Sequence, residues 1–182
     1  MKTKDYLKVR KTIEAGDGIL FGANTLLSKI IGNASKSKWT HVEVVDTING
    51  GRIICLGSNQ DGVNPHFLSE KMKSHTDFCI LKPKRTKEQI EHSLDDVFCK
   101  AEQGIKYNFL GGFQELLYRK FGWKTSFSWS SPYRSICSEF FQSYTQGFGM
   151  TEYSVNSDHP IFPCDFVNNR NPNNMDLLYE ND

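Results

Sequence analysis

Long apolar runs are missing from this chain. Nothing in it approaches the roughly 18–20 uncharged residues a membrane-spanning helix needs, so no stable membrane insertion is expected. An excess of either charge is missing too. Lys and Arg number 22 against 21 Asp and Glu, a formal net charge of +1. That supplies neither the basic field that holds nucleic acid nor the acidic tract of a disordered tail. No C-x-x-C, H-x-x-x-H or H-E-x-x-H occurs, so no metal and no other cofactor is expected. The absence of G-x-x-x-x-G-K-[ST] and G-x-G-x-x-G argues against nucleotide chemistry, and that of G-x-S-x-G against a serine hydrolase. Behind the charged start Met1-Lys-Thr-Lys there is no apolar stretch, so a secretory leader is not expected and the location is read as cytoplasmic. Cysteine is scattered and odd in number, at five, which suits free thiols in a reducing compartment better than a disulfide framework.

The 182 residues suffice for a sizeable core, and they are read as a single domain over 1–182, with 168–182 a tail that wraps the surface or frays. Residues 1–15 read as a short amphipathic helix, and Ile19-Leu-Phe as a buried strand. Asn24 can cap a helix carrying Leu26, Leu27, Ile30 and Ile31 on one face. Val42–Val45 and Arg52–Leu56 flank Asn49-Gly-Gly, a hairpin signal. Gly57 to Pro65 reads as a loop, and Phe78-Cys-Ile-Leu as a strand. Thr86 and Gln89 form a capping box for a helix with Ile90, Leu94, Val97 and Ala101 at helical spacing. Phe113–Phe121 and 135–146 read as further helices, and 124–133 as a Ser/aromatic loop.

Two residues carry chemistry. With Ser135 as N-cap, Cys137 falls in the first turn of its helix, where unpaired N–H groups and the dipole favour a thiolate. His41 lies in a strand and shares a face with Glu43. A two-residue Asn49-Gly50 turn sets Ser58 opposite His41; a three-residue turn sets Asn59 there, and either could orient the imidazole. There is a plainer reading of Cys137: positions 137, 140, 141, 144 and 148 form one helical stripe, otherwise aromatic, on which a cysteine is core packing. Cys55, Cys79, Cys99 and Cys164 read as inert, and His66, His75, His92 and His159 have no partner at a recognisable spacing.

The ordered motifs Gly16-Asp-Gly-Ile-Leu-Phe, Trp39-Thr-His-Val, Gly104-Ile-Lys-Tyr-Asn-Phe, Ile136-Cys-Ser-Glu-Phe and Phe162-Pro-Cys-Asp-Phe resemble the YiiX-like proteins. These are a circularly permuted branch of the NlpC-like, papain-fold cysteine hydrolases. The resemblance implies an α+β fold, an antiparallel sheet packed against helices. It implies Cys137 as nucleophile, His41 as general base, and cleavage or transfer of an acyl group through a thioester. Family members often carry a glutamate in the strand after the hairpin; here that stretch is Ile54-Cys-Leu-Gly-Ser-Asn, without an acid. Ser58, Asn59 or Glu43 then takes its place, or the third group is missing. The expected substrate is a small peptide or an acyl compound, cut at an amide bond. The alternatives are a lipid acyl hydrolase or acyltransferase, with Phe127, Trp129 and Tyr133 as an apolar groove, or an inactive binding module. Oligomeric state stays open.

Overall fold

The computed structural model describes residues 3–75, 77–122, 134–150 and 161–180. Its centre is a six-stranded antiparallel sheet in the order β4-β3-β2-β1-β5-β8. The strands are β1 (Gly18–Gly22), β2 (Trp39–Asn49), β3 (Arg52–Asn59), β4 (Gly62–Phe67), β5 (Phe78–Pro83) and, at the far edge, β8 (Met175–Glu180). Two short strands, β6 (Lys106–Tyr107) and β7 (Arg134–Ser135), pair in parallel. The helices are α1 (Thr3–Val9), α2 (Leu26–Ser35), α3 (Leu68–Ser74), α4 (Lys87–Glu102), α5 (Phe109–Phe121), α6 (Cys137–Gly147) and α7 (Asp165–Asn168). The expected α+β class, an antiparallel sheet packed against helices, is what the chain forms.

Strand alternation assigns the two faces of the sheet. Leu20, Val42, Val44, Leu56 and Leu81 face α4 and α6, and join Phe140, Phe141 and Tyr144 in one core. Ile19, Phe21, Val45, Cys55, Phe78 and Ile80 form a second core with Tyr6, Leu68 and Met72 from α1 and α3. The stripe 137-140-141-144-148 is indeed a core face: all five residues are buried. Gly18 lets α6 approach, since a Cβ there would lie 2.4 Å from Phe141 Cζ.

Several boundaries differ from expectation. Residues 168–182 do not all wrap the surface, because Met175–Glu180 pairs with β5 as an edge strand. The Gly57–Pro65 stretch is no loop. It holds the end of β3 and the start of β4, where Pro65 is tolerated because β4 is an edge. Thr25, not Asn24, caps α2: its side chain accepts from Ser28 N–H at 3.1 Å. Ile136, not Ser135, is the N-cap of α6, and Glu139 Oε2 accepts from Ile136 N–H at 3.0 Å. The predicted groove residues Phe127, Trp129 and Tyr133 lie outside the described residues.

Candidate active site

The hairpin register creates the site. Gly50-Gly51 forms its turn, with Asn49 paired to Arg52, and a bulge between Val45 and Thr47 shifts the register by one. Pairing of β2 with β3 then stops at Val44–Leu56, although β2 begins at Trp39 and β3 runs on to Asn59. Beyond that pair Glu43 lies against Gly57, and residues from both faces of the sheet come near one another: Cys137 from the α6 side, His41 and Glu43 from the α3 side.

Cys137 is the first residue of α6, so its N–H is one of the helix's unpaired donors. The segment before it is pinned. Ser135 C=O accepts from Ser58 Oγ–H at 2.6 Å and from Asn108 N–H at 3.2 Å, and Ser135 pairs with Tyr107 across β6 and β7. At the other end of α6, Tyr144 O–H donates to Gly16 C=O at 2.7 Å. The Gly104–Phe109 and Gly16–Gly18 motifs thus hold the cysteine helix from both ends. Asp165, in the Phe162–Phe166 motif, accepts from Phe162 N–H at 2.9 Å, and Phe166 meets Phe141 edge-on.

His41 donates from Nε2 to Glu43 Oε1 at 2.7 Å, and the ring lies close enough to Cys137 to interact with it electrostatically. Burial disfavours the charged imidazolium, but the Cys137 and Glu43 interactions outweigh it and raise the pKa to about 9. Glu43 is completely buried. Its Oε1 also meets Lys71 Nζ at 2.7 Å, and its Oε2 accepts from His66 Nε2–H at 2.7 Å. Burial would raise the Glu43 pKa; His41, His66 and Lys71 together hold it well below the usual carboxylate range. Gly57 makes room for this group: a Cβ there would lie 2.6 Å from Glu43 Cγ. The acid absent from β3 is therefore supplied by β2, and a glycine on β3 admits it.

Of the three residues expected to orient His41, Glu43 is the one bonded to it, while Ser58 and Asn59 are engaged elsewhere. Ser58 donates to Ser135 and so positions the approach to Cys137. Asn59 accepts from Lys71 Nζ at 2.7 Å and donates to Gly57 C=O at 3.2 Å, reaching the histidine only through the lysine. His66, which has no partner at a recognisable spacing in the sequence, is a direct partner of Glu43, and Lys71 carries no signal in the sequence at all. The alternation His41-Val-Glu43 was the one available signal. Nothing local announced β4 or α3, which carry the other two.

A cleft of about 590 Å³ opens onto His41. Leu27, Ser28 and Ile31 of α2 line one side, Asn59, Gln60 and Asn64 of the β3–β4 hairpin another, and Lys71 of α3 a third. Thr40 also lines it, and its buried Oγ1 has no hydrogen-bond partner among the described residues. Cys137 is only 6% exposed and is not among the residues that line the cleft. Among the other described cysteines, Cys55, Cys79 and Cys164 are buried and Cys99 is exposed. Burial, reinforced by the negative charge of Glu43, pushes the Cys55 thiol well above its usual range.

No family model matches the chain, and no curated protein matches it. Among solved structures, the metalloprotein yiiX from Escherichia coli O157:H7 is similar at a TM-score of 0.53, with 12% identity over 92% of this chain and 97% of that one. At that identity the likeness is one of fold: the chain has a YiiX-like fold. The histidine–glutamate cluster does not fit a metal ion. Both Glu43 oxygens already accept hydrogen bonds, both histidines aim Nε2 at that carboxylate, and the Lys71 ammonium lies on it. Among the described residues no group of three or more His, Cys, Asp or Glu side chains is placed to hold a metal. Nor, among them, is any helix long and apolar enough to cross a membrane.

Proposed function

We propose that this protein is a cysteine hydrolase of permuted papain-like type, which cleaves an amide, peptide-like bond through a thioester on Cys137. The observation that supports the reading is the line Cys137–His41–Glu43: a thiol at a helix N-terminus, an imidazole in electrostatic contact with it, and a buried carboxylate hydrogen-bonded to the imidazole. Three groups in that relation are what a thiol nucleophile, its base and the orienter of that base require.

Because His41 Nε2 is committed to Glu43, Nδ1 is the nitrogen that exchanges a proton with the thiol. The proton passes from sulfur to Nδ1, and the thiolate adds to the substrate carbonyl. The oxyanion is received by the Cys137 N–H, with the Thr40 hydroxyl as a second candidate donor, since it lines the cleft and lacks a partner. The C–N bond breaks as His41 returns its proton to the leaving amine. Water, deprotonated by His41, then adds to the thioester; the carboxylic acid leaves and the thiol re-forms. Glu43 keeps its charge throughout and stabilises the imidazolium. Lys71 and His66 keep Glu43 ionised and fixed, and Asn59 fixes Lys71.

A second reading, hydrolysis of a lipid acyl ester at the same thiol, draws support from the apolar residues Leu27 and Ile31 on the α2 wall. A panel of peptide amides and acyl esters, run with Cys137→Ala and His41→Ala as controls, tests both. Thiol-dependent turnover of amides supports the first reading, and of esters alone the second. Turnover of neither, with an unreactive thiol, leaves a binding module.

A further inference from the structure

The α2 helix forms one rim of the cleft and is apolar on both its inner and outer sides. Leu27 and Ile31 line the cleft, while Leu26 is 78% exposed and Ile30 50% exposed on the surface beyond it. Helix α5 packs against α2 and adds Phe113, 58% exposed. Isolated apolar residues on a surface need no explanation, but neighbouring ones at the mouth of a cleft do. The charge on α2 itself is of one sign, while Asp61 and Glu70 belong to the other elements lining the cleft. Lys29, Lys36 and Lys38 are exposed on α2 and just after it, and no Asp or Glu occurs from residue 18 through residue 42. The whole chain is nearly neutral, so this is a local feature.

A short helix with large apolar residues outward and lysines beside them is built to lie in the boundary layer of an anionic bilayer. A protein partner would meet the same leucines, but would not require a helix without acids. We propose that α2 is a membrane-docking helix: Leu26 and Ile30 enter the surface of an anionic phospholipid bilayer, the lysines meet its headgroups, and the cleft mouth is held at the lipid–water boundary. This extends the hydrolase reading and, for substrate, rests on it. The substrate would be an amphiphile, its apolar part along Leu27 and Ile31 and its polar part toward Asn59, Gln60 and Asn64.

The test separates docking from catalysis. The full chain and its Cys137→Ala variant, which leaves vesicle lipids intact, are floated with vesicles of pure phosphatidylcholine and of phosphatidylcholine with 30% phosphatidylglycerol, the latter on the order of a physiological anionic content. Both proteins should float with the anionic vesicles and be released by salt. Leu26→Ser/Ile30→Ser and Lys29→Glu/Lys36→Glu should each bind about tenfold or more weakly while keeping the wild-type circular dichroism spectrum. Absence of binding by the wild type, or binding that neither pair of substitutions weakens, would overturn the proposal. So would gel filtration showing a dimer that Leu26→Ser/Ile30→Ser dissolves, since that face would then be an interface between copies. Vesicle binding without thiol-dependent turnover would leave docking standing and remove the hydrolase reading.

Discussion

Glu43 and Gly57 occupy one space between them: the carboxylate chain of Glu43 fills the volume that any side chain at 57 would need, with only 2.6 Å from its Cγ to the place of a Cβ there. Gly57→Ala should therefore push Glu43 off His41 and Lys71 or spread β2 from β3. The expected loss is about 1–3 kcal/mol in urea unfolding, the usual cost of overpacking, together with a fall in hydrolysis. Unchanged stability would mean that the site yields more easily than its burial implies.

Glu43→Gln keeps the shape and removes the charge. Two histidines and a lysine then face a neutral carboxamide, and the imidazolium of His41 loses its counter-charge. Hydrolysis should fall by about tenfold to a thousandfold, within the range of a general base impaired but not removed. The His41 pKa, read by NMR, should fall from about 9. His66→Gln can still donate to Glu43, so its effect on rate should be less than about tenfold.

The shifts also set the pH response. The His41 pKa is raised above its unfolded value of about 6.5, so its contribution to stability is complete below about 6.5 and lost as pH rises through about 9. Glu43, being depressed, contributes above its unfolded value of about 4.3, and that contribution is lost as pH falls through its low native value. Hydrolysis should decline on the alkaline side near pH 9, where the imidazolium loses its proton. A profile of kcat/KM against pH, with a limb that moves in Glu43→Gln, checks this.

Asp17 provides a separate alkaline effect. Burial raises its pKa to about 7, against the opposing pull of the Glu14 N–H and Lys82. Its folded pKa exceeds its unfolded one, so its contribution is full below about 3.9 and lost as pH rises through 7. Asp17→Asn retains an acceptor for Glu14 N–H and should raise Tm at pH 8 while leaving it nearly unchanged at pH 4. Equal Tm shifts at both values would contradict the assignment.

The parts of the fold that local pattern specifies were legible in the sequence. The continuous apolar runs of β1 and β5, the capping box of α4 and the aromatic stripe of α6 each encode an element within a dozen residues. The expected position of Cys137 at a helix start needed only a one-residue change of cap. What could not be read depends on distant partners. The bulge at Val45–Thr47 and the Gly50-Gly51 turn set which residues face His41, and no local signal distinguishes that turn from Asn49-Gly50. β4 contains a proline, acceptable only because the strand is an edge. β8 arises from an Asn-rich end that gains its conformation by pairing with β5. His66 and Lys71 belong to the site because β4 and α3 deliver them to Glu43, a relation between residues 23 and 28 positions apart. Glu43 itself was within reach, since it follows His41 by two on a strand.

The proposed hydrolysis depends on a thiolate–imidazolium pair of Cys137 and His41, fixed by Glu43. It is tested most directly by the pH dependence of iodoacetamide labelling, resolved by mass spectrometry for each of the five cysteines, in wild type, His41→Ala and Glu43→Gln. Cys137 should label rapidly near pH 6, Cys55, Cys79 and Cys164 should not, and both substitutions should slow Cys137. Labelling of Cys137 no faster than an ordinary thiol, and unaltered by either substitution, would contradict it and leave Cys137 as a core residue of a non-catalytic fold.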